Sequence, residues 1–412
     1  MMNSFRLTTL LSLVTSSSLA LAGGPLVLEG SNGNTPVTYQ DPNITIHAEA
    51  GPLGSLNNAQ ANTLMREAFD LWNSVDTATI NLALNEGLID VDIDIDNFLF
   101  FLPDPNGSES KADDGRNPTV YDDDGKIIDA FFGDLASDST IGFAASFFSA
   151  NGDFFIEGYA VINGKDLGLT STEFKLLVAH EIGHLIGMDH SQANIDNNET
   201  DFGSPFICST DSLDSYPVMY PFVCRDEETL HADDISAISA LYPAANFATS
   251  FGIIEGRFVD ENGGAILGAN IWAENTTTGD VVSIVSDYLL QGTGFYQLHL
   301  TPGTYTLHAN SINPLFNGGS SIGPYSLSLT DASFIAPHPI TEVTLQAEVA
   351  GAEMISVIAS QTVTLNLSVT GNSVELEEIS GGGSGGGTIS GLVSLILLSL
   401  LAAGRRFNTN KN

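Results

Sequence analysis

Residues His180–His190 read HEIGHLIGMDH, and this stretch decides how the chain is read. His180 and His184 are four residues apart. On a helix, four steps of about 100° return to the same side one turn further on. Both imidazoles can then reach a single metal ion. Glu181 lies beside them, within reach of a water on that ion. Gly187 lets the chain leave the helix with positive φ, and the turn can bring His190 back as a third nitrogen ligand. Three protein ligands leave a fourth position for water, the pattern of a catalytic rather than a structural zinc. The short HExxH string arises by chance, but the extended HExxHxxGxxH string is much rarer. Here it follows a helix start of its own. Thr170-Ser171-Thr172-Glu173 offers an N-cap, from which a helix is expected to run to about Ile186.

A second signature follows. Tyr216-Pro217-Val218-Met219-Tyr220-Pro221 places Met219 29 residues beyond His190. The two segments together resemble the metzincin clan of zinc peptidases. Within the clan the residues are similar to matrixins: Ser191 follows His190, Tyr220-Pro221 follows Met219, and Asp233–Tyr242 resembles the matrixin closing helix. Upstream, Ala68–Trp72 resembles the first helix of that family, so the likeness covers about residues 37–245. The resemblance implies an α+β catalytic domain, a twisted sheet plus an active-site helix. It implies one catalytic Zn2+ on His180, His184 and His190, Glu181 as general base and Met219 as an apolar floor. An acidic residue of the closing helix, Asp233 or Asp234, would brace the Met-turn. The implied activity is that of a zinc metalloendopeptidase acting on protein or peptide substrates, which would lie along the edge Ile141–Phe148.

The chain departs from the family in places. No cysteine precedes the domain after Gly23, so a cysteine switch is absent. His47 and His231 are the other histidines before residue 245, too few for a second zinc. Tyr220 adjoins Met219 directly and is not assigned to the metal. Asp122-Asp123-Asp124 and the acidic stretch 90–96 are candidate Ca2+ ligands. They lack a strict calcium-loop spacing, and the sequence favours a solvated acidic face there.

Composition limits the partners. The 412 residues carry 12 basic and 50 acidic side chains, a formal charge of −38. Such a surface repels nucleic acid and anionic membranes. The ends carry separate signals. Arg6, the apolar run Leu7–Leu21 and Ala20-Leu21-Ala22 read as a signal peptide over residues 1–22. Export makes Cys208 and Cys224 an expected disulfide. At the other end, Gly381–Gly387 reads GGGSGGG, Thr388–Gly404 is uncharged and largely apolar, and Arg405-Arg406 follows. Residues 380–412 resemble the GlyGly-CTERM sorting signal of Gram-negative bacteria. That likeness implies transient inner-membrane anchoring by a short transmembrane segment, sorting machinery acting on the tail, and a final place at the cell surface or in the medium. A permanent anchor on a flexible linker is the alternative.

Between these ends, strands are expected at Ile44–His47, Ala78–Leu84, Ile141–Phe148 and Phe154–Ile162, with helices over Asn58–Ser74 and Ala232–Leu241. Residues 88–101 alternate strictly and predict a further strand. Residues 103–126 read as a long surface loop. After Asn246 short alternating segments between Gly, Asn and Pro turns predict an all-β sandwich. Gly252–Gly256, Gly268–Ile271 and Pro302–Leu307 resemble the carboxypeptidase regulatory-like (transthyretin-like) sandwich, over about residues 250–379. His299 and His308 read as structural there. The competing function is a non-catalytic surface-binding or adhesion protein working through this sandwich. Retention of Glu181 beside all three histidines argues against it.

Overall fold

The computed structural model describes residues 24–28, 35–105, 114–149, 152–193, 208, 213–289, 291–311, 343–344, 354–370 and 373–376. The expected signal peptide and the Gly-rich tail lie outside these residues. Among the described residues no helix is long and apolar enough to cross a membrane.

Short apolar runs build the first sheet from β1 (Asn43–Ala48), β2 (Asn81–Glu86), β3 (Pro118–Asp122), β4 (Gly142–Phe148) and β5 (Phe155–Asn163). The order is β2-β1-β3-β5-β4. Neighbours are parallel except β4, which runs antiparallel to β5 and forms one edge. Alternation sends successive side chains to opposite faces. Tyr121, Ala160 and Ile162 face one core, and Val120, Tyr159 and Val161 face another.

The first core is closed by two helices. Helix α1 (Asn58–Asn73) starts at a capping box between Asn57 and Gln60, and buries Ala61, Met65, Ala68, Phe69 and Trp72. Helix α3 (Ser171–Leu185) starts at the expected Thr170–Glu173 box. Trp72 Nε1 donates to Ala179 O at 2.9 Å and ties the two helices together. Each large side chain so buried contributes about 1.5–3 kcal/mol relative to exposure. The second core packs Ile89, Ile93, Phe98 and Leu102 against helix α2 (Lys126–Phe132) and the sheet.

Two expectations fail here. Residues 88–97 form no strand, and a short 3-10 turn follows at Phe98–Phe100. Only Ile89 and Ile93 of the apolar set are buried, while Val91 and Ile95 are exposed. The backbone N–H of Ile93 goes to the Glu49 carboxylate rather than to a ladder. Conversely, the predicted surface loop 103–126 contains β3, whose five residues are all buried at the centre of the sheet.

Helix α4 (Ala232–Leu241) ends the first part of the chain. Ten strands follow. β6 (Gly252–Asp260), β9 (Phe295–Leu300), β13 (Thr362–Thr364), β14 (Leu367–Thr370) and β15 (Ser373–Leu376) form one sheet. β7 (Ala269–Asn275), β8 (Val281–Val285), β10 (Gly303–Ser311), β11 (Val343–Thr344) and β12 (Ile355–Val357) form another. Ile254 and Phe258 of the first, with Ile271, Ala273 and Leu307 of the second, share one apolar cluster. The strand β8, VVSIV, is buried at every position and shows no alternation, which is why the sequence did not mark it. The described residues up to Leu376 pack as one unit.

Candidate metal centre

Helix α3 presents His180 and His184 one turn apart, and the chain returns His190 to the same point. The three Nε2 atoms lie 3.1 Å from one another in every pairing. The other ring nitrogens fix the chemistry. His180 Nδ1 sits 2.7 Å from Val218 O, and His184 Nδ1 sits 2.9 Å from Met188 O. A carbonyl only accepts, so both Nδ1 atoms carry the proton and both Nε2 atoms turn lone pairs toward each other. Burial pushes the His180 imidazole down to about 4 and His184 down to about 3, so both are neutral near pH 7. Facing lone pairs at this separation repel unless a cation lies among them. A tetrahedral zinc, with bonds of about 2.0–2.1 Å, holds nitrogens roughly 3.3 Å apart. The donor set therefore fits zinc. Among the described residues these three form the group able to hold a metal ion.

The return of His190 is built by backbone contacts. Gly187 leaves the helix at φ +94, and a Cβ there would meet the Phe155 ring at 2.8 Å. Leu26 N donates to Gly187 O at 2.7 Å, and Asp189 N to Gly24 O at 3.2 Å, so the segment 24–28 runs against this turn. His190 N donates to Asp189 Oδ1 at 2.6 Å. Ser191 N then donates to Met219 O at 2.7 Å and joins the third histidine to the Met-turn.

Met219 is fully buried. A Cβ on Gly183 would lie 2.3 Å from its Sδ atom. The helix thus carries a glycine, at a cost of about 1 kcal/mol, where the sulfur packs against it between the two histidine turns. The two acidic candidates of α4 divide their work. Asp234 accepts from Val218 N at 2.8 Å, Met219 N at 3.0 Å and His231 N at 2.9 Å, and is the brace of the turn. Since Val218 O also holds His180, the brace reaches the metal site through one residue. Asp233 accepts instead from Ser191 Oγ and from Ser283 N of β8.

Glu181 is 3% exposed. Burial pushes its carboxyl up to about 8. Its Oε2 atom has no hydrogen-bond partner among the described residues. A Cβ on Gly142 would come within 2.9 Å of this side chain, so the first residue of the edge strand β4 must be small for the carboxylate to lie beside it. Cys208 and Cys224 form a disulfide with Cα atoms 5.3 Å apart. Sequence reasoning missed Gly142, Gly183 and the role of Ser191. A glycine inside a helix of otherwise good formers was the one signal available.

One of the candidate calcium residues is engaged by its own backbone. Asp122 accepts from Ile127 N and Ile128 N and starts α2. Glu49 holds Ile93 N and Tyr121 N. No convergent acidic group of three occurs among the described residues. His47 Nδ1 accepts from Asn117 N, and His231 caps α4.

With this geometry in place, comparison with known proteins is direct. Residues 38–196 match the matrixin family model. No curated protein matches the chain. The matrixin match and the three-histidine cluster together support a metzincin-like zinc metallopeptidase with an α+β catalytic part. The matched span stops short of Met219 and α4, so the floor and its Asp234 brace rest on geometry alone.

Proposed function

We propose that the chain is an exported zinc metalloendopeptidase that hydrolyses peptide bonds in extracellular proteins. One observation carries this reading: the Nε2 atoms of His180, His184 and His190 converge beside the buried carboxyl group of Glu181, at the edge of an open sheet. Zinc on His180, His184 and His190 would supply Lewis acidity, activating water and polarising the scissile carbonyl. Glu181 takes a proton from the attacking water and delivers it to the leaving amine nitrogen as the C–N bond breaks. Strand β4, at the edge of the sheet among the described residues, offers its outer side to an extended substrate by strand addition. Asp234 keeps Val218 and Met219 in place, and through them His180.

The export reading is supported by the N-terminal leader pattern and by the disulfide, which belongs to an oxidising compartment. The GlyGly-type tail fits delivery to the surface or medium. Mass spectrometry of the mature termini tests both. We read the two later sheets as the regulatory-like sandwich, an accessory part.

The decisive variant is Glu181→Ala, assayed on casein or gelatin with zinc content measured in parallel. The expected result is retained zinc with activity lower by about 10²–10⁴-fold. Unchanged cleavage by a pure preparation sinks the mechanism. A chelator should abolish activity, and added zinc should restore it.

A further inference from the structure

His190 is the one candidate ligand that does not sit on α3, so its position depends on the segment that follows it. Ser191, Gln192 and Ala193 are all 0% exposed. Ser191 uses both capacities of its hydroxyl: Oγ donates to the Asp233 carboxylate and accepts from Ala193 N at 3.0 Å. The other oxygen of Asp233 accepts from Ser283 N at 2.6 Å. Ser283 lies on β8, at the edge of its sheet. An edge strand turns unpaired N–H groups outward, and Asp233 takes one of them.

A second contact is independent of these hydrogen bonds. Ala193 packs against Trp272 of β7 and Val281 of β8 in a small apolar cluster of its own. Trp272 and Ser283 stand directly opposite each other in the β7–β8 ladder. The polar and the apolar contact therefore come from one two-stranded ladder, with Trp272 and Ser283 sharing a rung and Val281 two residues along β8.

We propose that the C-terminal β-sheet part is a working member of the metal centre: the Trp272–Ser283 rung, through Asp233 and Ala193, clamps Ser191 and so positions His190. Asp233, Ser191 and Trp272 are positioning residues. All three are buried. The proposal rests on the zinc reading of the three histidines and goes beyond an accessory role for the sandwich. Without the clamp, the segment after His190 loses its contacts to Asp233, Trp272 and Val281, and the third ligand is held less firmly than the two on the helix.

The test uses the full-length zinc protein and three variants, Ser191→Ala, Asp233→Ala and Trp272→Ala. Thr278→Ala, an exposed hydroxyl on a turn of the same sheet, is the control. Two quantities are read. One is the rate of zinc loss to excess chelator. The other is deuterium uptake by peptides covering residues 188–193 in the metal-free protein. The expected result is zinc loss at least tenfold faster in each of the three variants, faster uptake over 188–193, and a fall in kcat with KM for a short peptide within twofold. The control should match wild type. Should Asp233→Ala fail to fold, Ser191→Ala and Trp272→Ala decide the matter alone. Zinc loss and uptake equal to wild type in folded variants overturn the clamp while leaving the zinc site standing. A wild-type protein that binds no zinc overturns the metal centre and this proposal with it.

Discussion

The two parts of the chain use the same device for different ends. In each, a buried aspartate collects three backbone N–H groups. Asp234 holds His231, Val218 and Met219. Asp287 holds Gly292, Thr293 and Gly294. The first carboxylate joins a helix N-terminus to the turn beneath the histidines, segments separated by more than ten residues. The second shapes a single local loop between β8 and β9, with Asp287 itself at φ +62. The difference teaches where chemistry is built. The catalytic part spends buried charge on joining distant segments into one site. The β part uses it locally, and it reaches the segment after His190 through the β7–β8 ladder, by Ser283 N and by the Ala193 contact.

The matched pair Asp234→Asn and Asp287→Asn turns this contrast into numbers. Removing one acceptor from Asp234 should cost about 3 kcal/mol of stability, since hydrogen bonds to a charged group are the strong kind. Peptidase activity should fall at least tenfold, because Val218 and Met219 lose their brace. Equal activity in the two variants would break the comparison. Next in size is the disulfide. Cys208→Ser with Cys224→Ser opens a loop with a sequence separation of 16. The chain-entropy argument puts the loss at about 2–3 kcal/mol, read as a fall in melting temperature that reductant no longer adds to. Asp287→Asn should then cost about 1.5–2 kcal/mol, with kcat within twofold of wild type. A loss of activity there would mean that the loop between β8 and β9 also serves the site.

The smallest effect lies on the pH axis. Burial pushes Glu49 up to about 8, against the pull of the Ile93 and Tyr121 amides. A carboxyl whose folded value is raised binds more protons in the folded state. Its contribution is full below about 4.5 and is lost as the pH rises toward about 8. Between pH 6.5 and 7.5 the wild type should lose roughly 1 kcal/mol that Glu49→Gln does not. Parallel melting curves for the two proteins over that range would remove Glu49 from this account.

The site was legible because its chemistry is nearly contiguous. His180, Glu181, His184 and His190 lie within eleven residues, and the helix that carries them begins at a local capping box. The same holds for α4, which forms over the expected Ala232–Leu241 and ends just before Pro243. What was hidden depended on distant partners. Alternation at 88–101 signalled a strand, but Ile93 found Glu49 before it found a ladder. Strand β3 sat among Asp, Gly and Asn residues that signal turns, and only its neighbours β1 and β5 make it a strand. The choice between Asp233 and Asp234 was likewise open in sequence. It is settled by the Val218 and Met219 amides, which go to Asp234, while Asp233 turns to Ser283 fifty residues further on.

Gly183 and Met219 carry a lesson about inheritance. The sulfur of one stands where a side chain on the other would begin. Neither can grow alone, and shrinking the methionine leaves a hole under the helix that a bare glycine cannot fill. The two behave as a single position with two addresses in the sequence. A side chain added at 183 would force the methionine to shift, so the two positions are expected to change together.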